Sequence, residues 1–220
     1  MDANDVARYL AANPEFFTDH PELLGQLKVA HPQNGQAISL LERQSLLLRE
    51  RIRALEAKLA QLIRHAEENE AIADKLVRWT RALLAVADEA ALPVTLLAEL
   101  RAIFAVPYAA LRLWAPRAEF AAADFAQPAG ADVVRLANSM GAPFCGSNVG
   151  FDVAAWMSDD PASIKSLAML PLRVGAQPDT FGMLVLGSPD RDRFQITMGT
   201  AFLARIAELA SAALARLRAQ

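Results

Sequence analysis

Cysteine is the first scarcity: Cys145 is the only one in 220 residues. A lone cysteine excludes an intramolecular disulfide, leaves no resolving thiol for a redox cycle, and fits a reducing compartment. Histidine is nearly as rare, and His20, His31 and His65 all precede residue 93. A Ser-His-Asp or Cys-His nucleophile, a histidine-held zinc or a histidine-ligated haem therefore cannot be built within residues 93–220. GxGxxG and GxxxxGK[ST] are both missing, which removes the two common phosphate-cradling loops. Long apolar runs are missing as well: residues 82–87, for example, fall far short of the roughly 18–20 needed to cross a bilayer. Asp2, Asn4 and Asp5 open the chain where a secretory leader would carry basic residues and an apolar stretch. The expectation is a cytoplasmic protein with no membrane partner, no metal site and no catalytic residue, hence not an enzyme.

A basic excess is also lacking. Residues 1–35 hold two basic and five acidic side chains, residues 36–92 nine of each, and residues 93–220 eleven of each. No segment is basic overall, so the electrostatic term that dominates nucleic-acid affinity is not supplied, and no nucleic-acid partner is expected.

What is present is apolar material, 54% of the chain against 21% charged, enough for a real core. Glycine and proline are absent throughout residues 36–92, between Gly35 and Pro93. Inside that interval Ile38, Leu41, Ser45, Leu48, Ile52, Leu55, Leu59 and Leu62 keep a 3–4 spacing. The spacing continues more weakly through Ala66, Asn69, Ala73, Leu76, Thr80 and Leu83. Ile38 and Ile52 at a positions, with Leu41, Leu48, Leu55 and Leu62 at d, match a parallel two-stranded coiled coil. In that register Arg51 faces Glu56 of the partner helix, and His65 faces Glu70.

A 57-residue helix would span roughly 85 Å, whereas a 128-residue domain has a radius of gyration of about 14 Å. Most of such a helix projects beyond the domain, and its apolar row left in water forfeits on the order of 10 kcal/mol per chain. A homodimer is expected, with association entropy offsetting several kcal/mol. The stretch from Ala66 to Ala73, with Asn69 at d and Glu67, Glu68 and Glu70 nearby, is a weak or splayed part of the seam.

Residues 1–35 read as a small helical cap of two or three short helices. Val6, Tyr9 and Leu10 share a face, and Asn13-Pro14-Glu15 and His20-Pro21-Glu22 both read as helix starts. Phe16 and Phe17 make this cap too apolar for a free tail.

After Pro93 the elements shorten. Helices are expected over residues 94–104, 131–140 and 197–217, with a short one over 153–157. Strands are expected over 108–114 (YAALRLW), 166–174 (SLAMLPLRV) and 181–186 (FGMLVL), with a weaker one over 119–125 and a loop over 141–150. Pro171 points to an edge position or a bulge.

The order of these elements, with LAMLPL (167–172), GMLVLGS (182–188) and DRDRF (190–194), resembles a GAF domain. VARYLAANPEFFTDHPELL (6–24), AISLLERQSLLLRERI (37–52) and PFCGS (143–147) are similar to the DUF484 family of GAF-like bacterial proteins, over nearly the whole chain. The resemblance implies an α+β fold: a GAF-like antiparallel sheet flanked by helices, on a long coiled-coil helix (36–92) and the N-terminal cap (1–35), with the GAF-like domain at 93–220. It implies no particular activity or cofactor. Methionine-sulfoxide-reducing GAF domains use several cysteines, and bilin-binding ones often place a histidine after the attachment cysteine; here Gly146 follows Cys145.

Five residues are candidates for a ligand site between the sheet and residues 131–157: Phe144, Cys145, Trp156, Met157 and Arg173. Four of them have a plainer reading. Cys145 is a buried thiol, Trp156 and Met157 are core plugs rather than a lid, and Arg173 is a surface arginine. Asp159 and Asp160, as direct neighbours, point apart and read as a solvated loop. Two functions follow. One is a dimeric sensor or adaptor that binds a small molecule and, since no output domain follows the closing helix, signals to a separate effector protein. The other is a structural scaffold with a vestigial, solid GAF-like core.

Overall fold

A computed structural model of the chain describes residues 2–26, 28–30, 37–175, 177–195 and 200–219, which divide between two units, Met1–Asn69 and Glu70–Gln220. His31 and the expected helix start at Thr197 lie outside the described residues.

In the first unit, Asp2 and Asp5 form a reciprocal capping box at the start of α1 (Ala3–Ala12), with N···O distances of 2.8 and 2.9 Å. Asn13 closes α1 rather than opening the next helix: its backbone N–H and its Nδ2 both donate to the Tyr9 carbonyl. Two short helices follow, α2 (Phe16–Asp19) and α3 (Pro21–Gln26). The ring of Phe16 gathers Tyr9, Phe17 and His20 around it at centroid distances of 6.0, 5.4 and 5.0 Å. A two-stranded antiparallel ladder then pairs β1 (Lys28–Ala30) with β2 (Ala37–Ser39). Ile38 sits in β2 opposite Val29, so the first expected heptad position is not helical.

Helix α4 (Leu40–Leu84) is 45 residues long, about 68 Å at 1.5 Å per residue. It stops well before Pro93 with no glycine or proline to mark the end. Asp88 instead caps a 3₁₀ turn, Glu89–Ala91, through the Ala90 N–H at 2.9 Å, and that turn starts α5 (Leu92–Phe104). Among the described residues no helix is long and apolar enough to cross a membrane.

The second unit is built on a four-stranded antiparallel sheet in the order β3-β6-β5-β4. Its strands are β3 (Tyr108–Leu113), β4 (Phe144–Ser147), β5 (Ser166–Arg173) and β6 (Thr180–Ser188). Strand alternation divides its side chains between two cores. Ala168, Leu170, Leu172, Leu184 and Leu186 face α5, α7 (Ala201–Leu214) and Trp79 and Leu83 of α4. Leu167, Met169, Met183 and Val185 face α6 (Ala131–Ser139) and the 3₁₀ turn Asp152–Trp156. The mixed fold with an antiparallel sheet is the one expected.

Several local expectations are corrected. Residues 119–125 are not a strand but two 3₁₀ turns, Ala118–Phe120 and Asp124–Ala126, because Phe120 and Phe125 bury together, 6.1 Å apart, under the first core. The expected loop 141–150 contains β4, whose Cys-Gly-Ser sequence has little intrinsic strand preference and is held by pairing with β5. Pro171 lies in an interior strand by order. Yet β4 pairs with β5 only from Ser166 to Met169, so at Pro171 β5 is locally an edge, and the register slips just after it, between Leu172 and Arg173. In α7 the buried residues are Leu203, Ile206, Ala207, Ala210, Ser211 and Leu214, while Phe202, Leu209 and Ala213 are half-buried.

Candidate functional site

Phe144 and Cys145 are adjacent in β4 and therefore face opposite ways. Phe144 packs on the second core beside Phe151, centroids 5.7 Å apart, whereas Cys145 is buried in the first core. Trp156 and Met157 join Phe144 on the second face. Met157 is set against the sheet: a Cβ built on Gly187 would lie 3.1 Å from the Met157 Sδ and Cε atoms and from Ile164 Cγ2. The side chains of Met157 and Ile164 thus fill the space over Gly187. Burial pushes the Cys145 thiol above its ordinary value of 9.0, which keeps it protonated and weakly nucleophilic at neutral pH.

Arg173 ends β5 and turns its guanidinium onto backbone carbonyls. Nη2 donates to Ala137, Asn138 and Met140 at 2.9, 3.3 and 2.7 Å, and Nε to Pro178 at 3.0 Å. The first three carbonyls lie at the C-terminal end of α6, where a cation is favoured by both the unpaired acceptors and the helix dipole, and the Pro178 carbonyl lies between β5 and β6. Asn138 completes the junction by accepting from the Thr180 N–H and hydroxyl at 2.8 and 2.6 Å. The five candidates are therefore not one cluster. Phe144, Trp156 and Met157 share a face, Cys145 lies behind the sheet, and Arg173 holds a helix end.

Trp156 has a second neighbourhood. It borders a groove of about 510 Å³ alongside β3, lined also by Leu97 and Arg101 of α5, by Arg112, and by Asp124, Phe125 and Gln127. β3 is a sheet edge, and the Trp114 N–H bonds Phe181 on β6 while Arg101 donates to the Ala109 carbonyl on the other side. That alternation aims the main-chain groups of Ala109 and Leu111 outward, along the groove. The Arg112 guanidinium lies 5.8 Å from the Trp156 ring centroid and donates to the Asp124 carbonyl, and its Nε is buried with no hydrogen-bond partner. A larger cleft, about 650 Å³, opens near Asn148, Lys165 and Arg191. There Asn148 is occupied with framing its own loop, donating to Pro161 and Ile164 and accepting from Gly150 and Phe151. Lys165 Nζ likewise donates to the Ala162 carbonyl at 2.7 Å.

Sequence reading missed Arg112 and Arg101. Arg112 did leave a signal, as the one charged residue in the apolar strand YAALRL. Arg101 left none.

In the first unit, Leu47, Leu48, Ile52, Leu55, Leu59, Leu62 and Ile63 of α4 are each 47–65% exposed. The weaker continuation is used differently: Leu76 packs on the first core of the second unit, and Leu83 is buried in it.

Comparison with known proteins places these features. The chain matches a family described as a protein of unknown function, DUF484, over residues 1–219. The uncharacterized protein YigA of Shigella flexneri is 34% identical over 88 residues, 40% of this chain and 37% of that protein, and YigA of Escherichia coli (strain K12) is 33% identical over the same length. The chain thus spans little more than a third of the curated relatives it matches. Among solved structures, the A. aeolicus nlh2 GAF domain in an inactive state has a TM-score of 0.50 at 12% identity, covering 67% of this chain and 98% of that one. A free methionine-R-sulfoxide reductase from Neisseria meningitidis, in complex with its substrate, has a TM-score of 0.44 at 12% identity, covering 66% and 88%. The chain belongs to the DUF484 family and carries a GAF-like fold.

Proposed function

We propose that this protein is a cytoplasmic homodimeric adaptor that pairs through α4, binds a small molecule beside β3, and passes occupancy to a separate effector protein. The observation that carries the reading is the row of seven half-exposed aliphatic side chains between Leu47 and Ile63. Such a row is costly in water, on the order of 10 kcal/mol, and a second copy of the same helix covers it in the parallel register of Leu48, Ile52, Leu55 and Leu62. The groove beside Trp156 has the volume of a small-molecule site, an aromatic wall and a guanidinium. Its chemistry suits a planar molecule bearing a hydrogen-bond acceptor or negative charge.

The scaffold reading is favoured by a different observation, the Met157 and Ile164 side chains seated on Gly187 where a ligand would otherwise enter the second face. Sedimentation velocity at micromolar concentration tests what both readings share. The wild type should sediment as a dimer and Leu48→Glu/Leu55→Glu as a monomer; a monomeric wild type removes both readings. Native mass spectrometry of freshly purified protein then separates them, since a retained small molecule supports the sensor and a bare dimer the scaffold.

A further inference from the structure

The exposed aliphatic row on α4 changes phase along the helix. Leu48, Ile52, Leu55, Leu59 and Leu62 alternate steps of three and four. Leu55 to Leu59 to Ile63 makes two successive four-residue steps; beyond them the exposed Ala66 and Ala73 keep the original spacing, while the exposed Val77 and Leu84 lie one position past Leu76 and Leu83. Two such steps in succession are a stutter, which shifts the seam of a coiled coil by one position. The cause lies in the second unit, whose own core takes two of the original positions: Leu76 packs against it and Leu83 is 4% exposed, beside the fully buried Trp79. One position on, Val77 and Leu84 are left 51% and 80% exposed.

Leu84 lines a groove of about 290 Å³ between the end of α4 and α7, whose far wall is Leu209, Ala212 and Ala213 of α7 and Arg216 of the 3₁₀ turn Ala215–Leu217. A bulky exposed leucine thus borders a hollow on the same molecule whose α7 side carries two alanines and Leu209. We infer that Leu84 of each copy seats in this groove of the other, giving the dimer a second, isologous contact made by the last turns of α4 and by α7. The inference rests on the dimer reading above. A two-fold contact requires a surface complementary to itself, and a knob beside its own hole meets that requirement. Area points the same way. Seven half-exposed side chains at up to about 100 Å² each leave the heptad row below the roughly 800 Å² per partner of a standard interface. Val77, Leu84 and the alanine wall supply further apolar area on the continuation of the same helical row.

The test uses the full chain and a dilution series followed by sedimentation velocity. Leu84→Glu and Ala212→Glu should each raise the dimer dissociation constant at least tenfold, and Leu84→Ala at least threefold, with unchanged far-UV circular dichroism because both positions are exposed. Ala212→Glu is the decisive variant, since a seam confined to α4 contains no residue of α7. If all three stay within twofold of wild type while Leu55→Glu still dissociates, the second contact is absent and the heptad dimer stands. A wild type that is monomeric overturns both.

Discussion

Cys145 illustrates how burial decides the chemistry of a single residue. Its thiol sits in the apolar core with its proton affinity raised, and the chain offers no second cysteine to resolve an oxidised form. Because the folded protein holds the thiol proton more tightly than the unfolded chain, the associated stability is full below the ordinary value of 9.0 and is lost as pH rises through the folded value. Cys145→Ala should therefore fold, cost about 1 kcal/mol at neutral pH, and lose this dependence. Denaturant melts from neutral pH to about pH 10.5 check it: the advantage of wild type over variant should be level below about pH 8 and shrink above it. A thiol that alkylates rapidly in the native protein at pH 7 would contradict the argument. Arg112 shows the limit at the same scale. Its charge in an apolar strand was visible, but its approach to Trp156 joins residues 44 apart and depends on how the turn Asp152–Trp156 lands on the sheet.

At the scale of elements, α6 is held less by its sequence than by a side chain from β5. Gly130 at its start makes no side-chain cap, and its C-terminal carbonyls are satisfied by Arg173. Arg173→Met keeps the stem and removes the donors, so it should cost about 1–3 kcal/mol, with Arg173→Lys intermediate because one ammonium cannot span the same fork. Chemical denaturation measures the loss, and amide exchange should rise first in α6. A variant as stable as wild type would return Arg173 to the ordinary surface arginines. α5 was legible because its apolar spacing meets one face, and β5 and β6 because their near-continuous apolar runs suit strands buried on both faces. β4 and the turns around Phe120 and Phe125 were not, since pairing and burial there override weak local preference.

For the molecule as a whole, the contest between sensor and scaffold turns on Trp156. The ring is half-buried, between the second core and the groove. If the groove takes a ligand, Trp156→Ala should cost the free protein no more than about 2 kcal/mol, short of the roughly 3–5 typical of a large aromatic truncated in a packed interior. A metabolite extract should then raise the wild-type melting temperature and leave the variant unmoved. A larger loss without extract, together with a wild type that no extract stabilises, would favour the scaffold. The sequence by itself determined the short N-terminal helices, the long helix with its aliphatic row, the strand pair β5–β6 and the lack of histidine after residue 93. Each is a property of local spacing or composition. Only the tertiary structure decided that Leu76 and Leu83 leave that row for a core, that Phe144 and Cys145 part company across the sheet, and that Arg173 closes α6. Those outcomes depend on which distant surfaces compete for the same side chain, and a periodic pattern records that a residue is apolar without naming what will cover it.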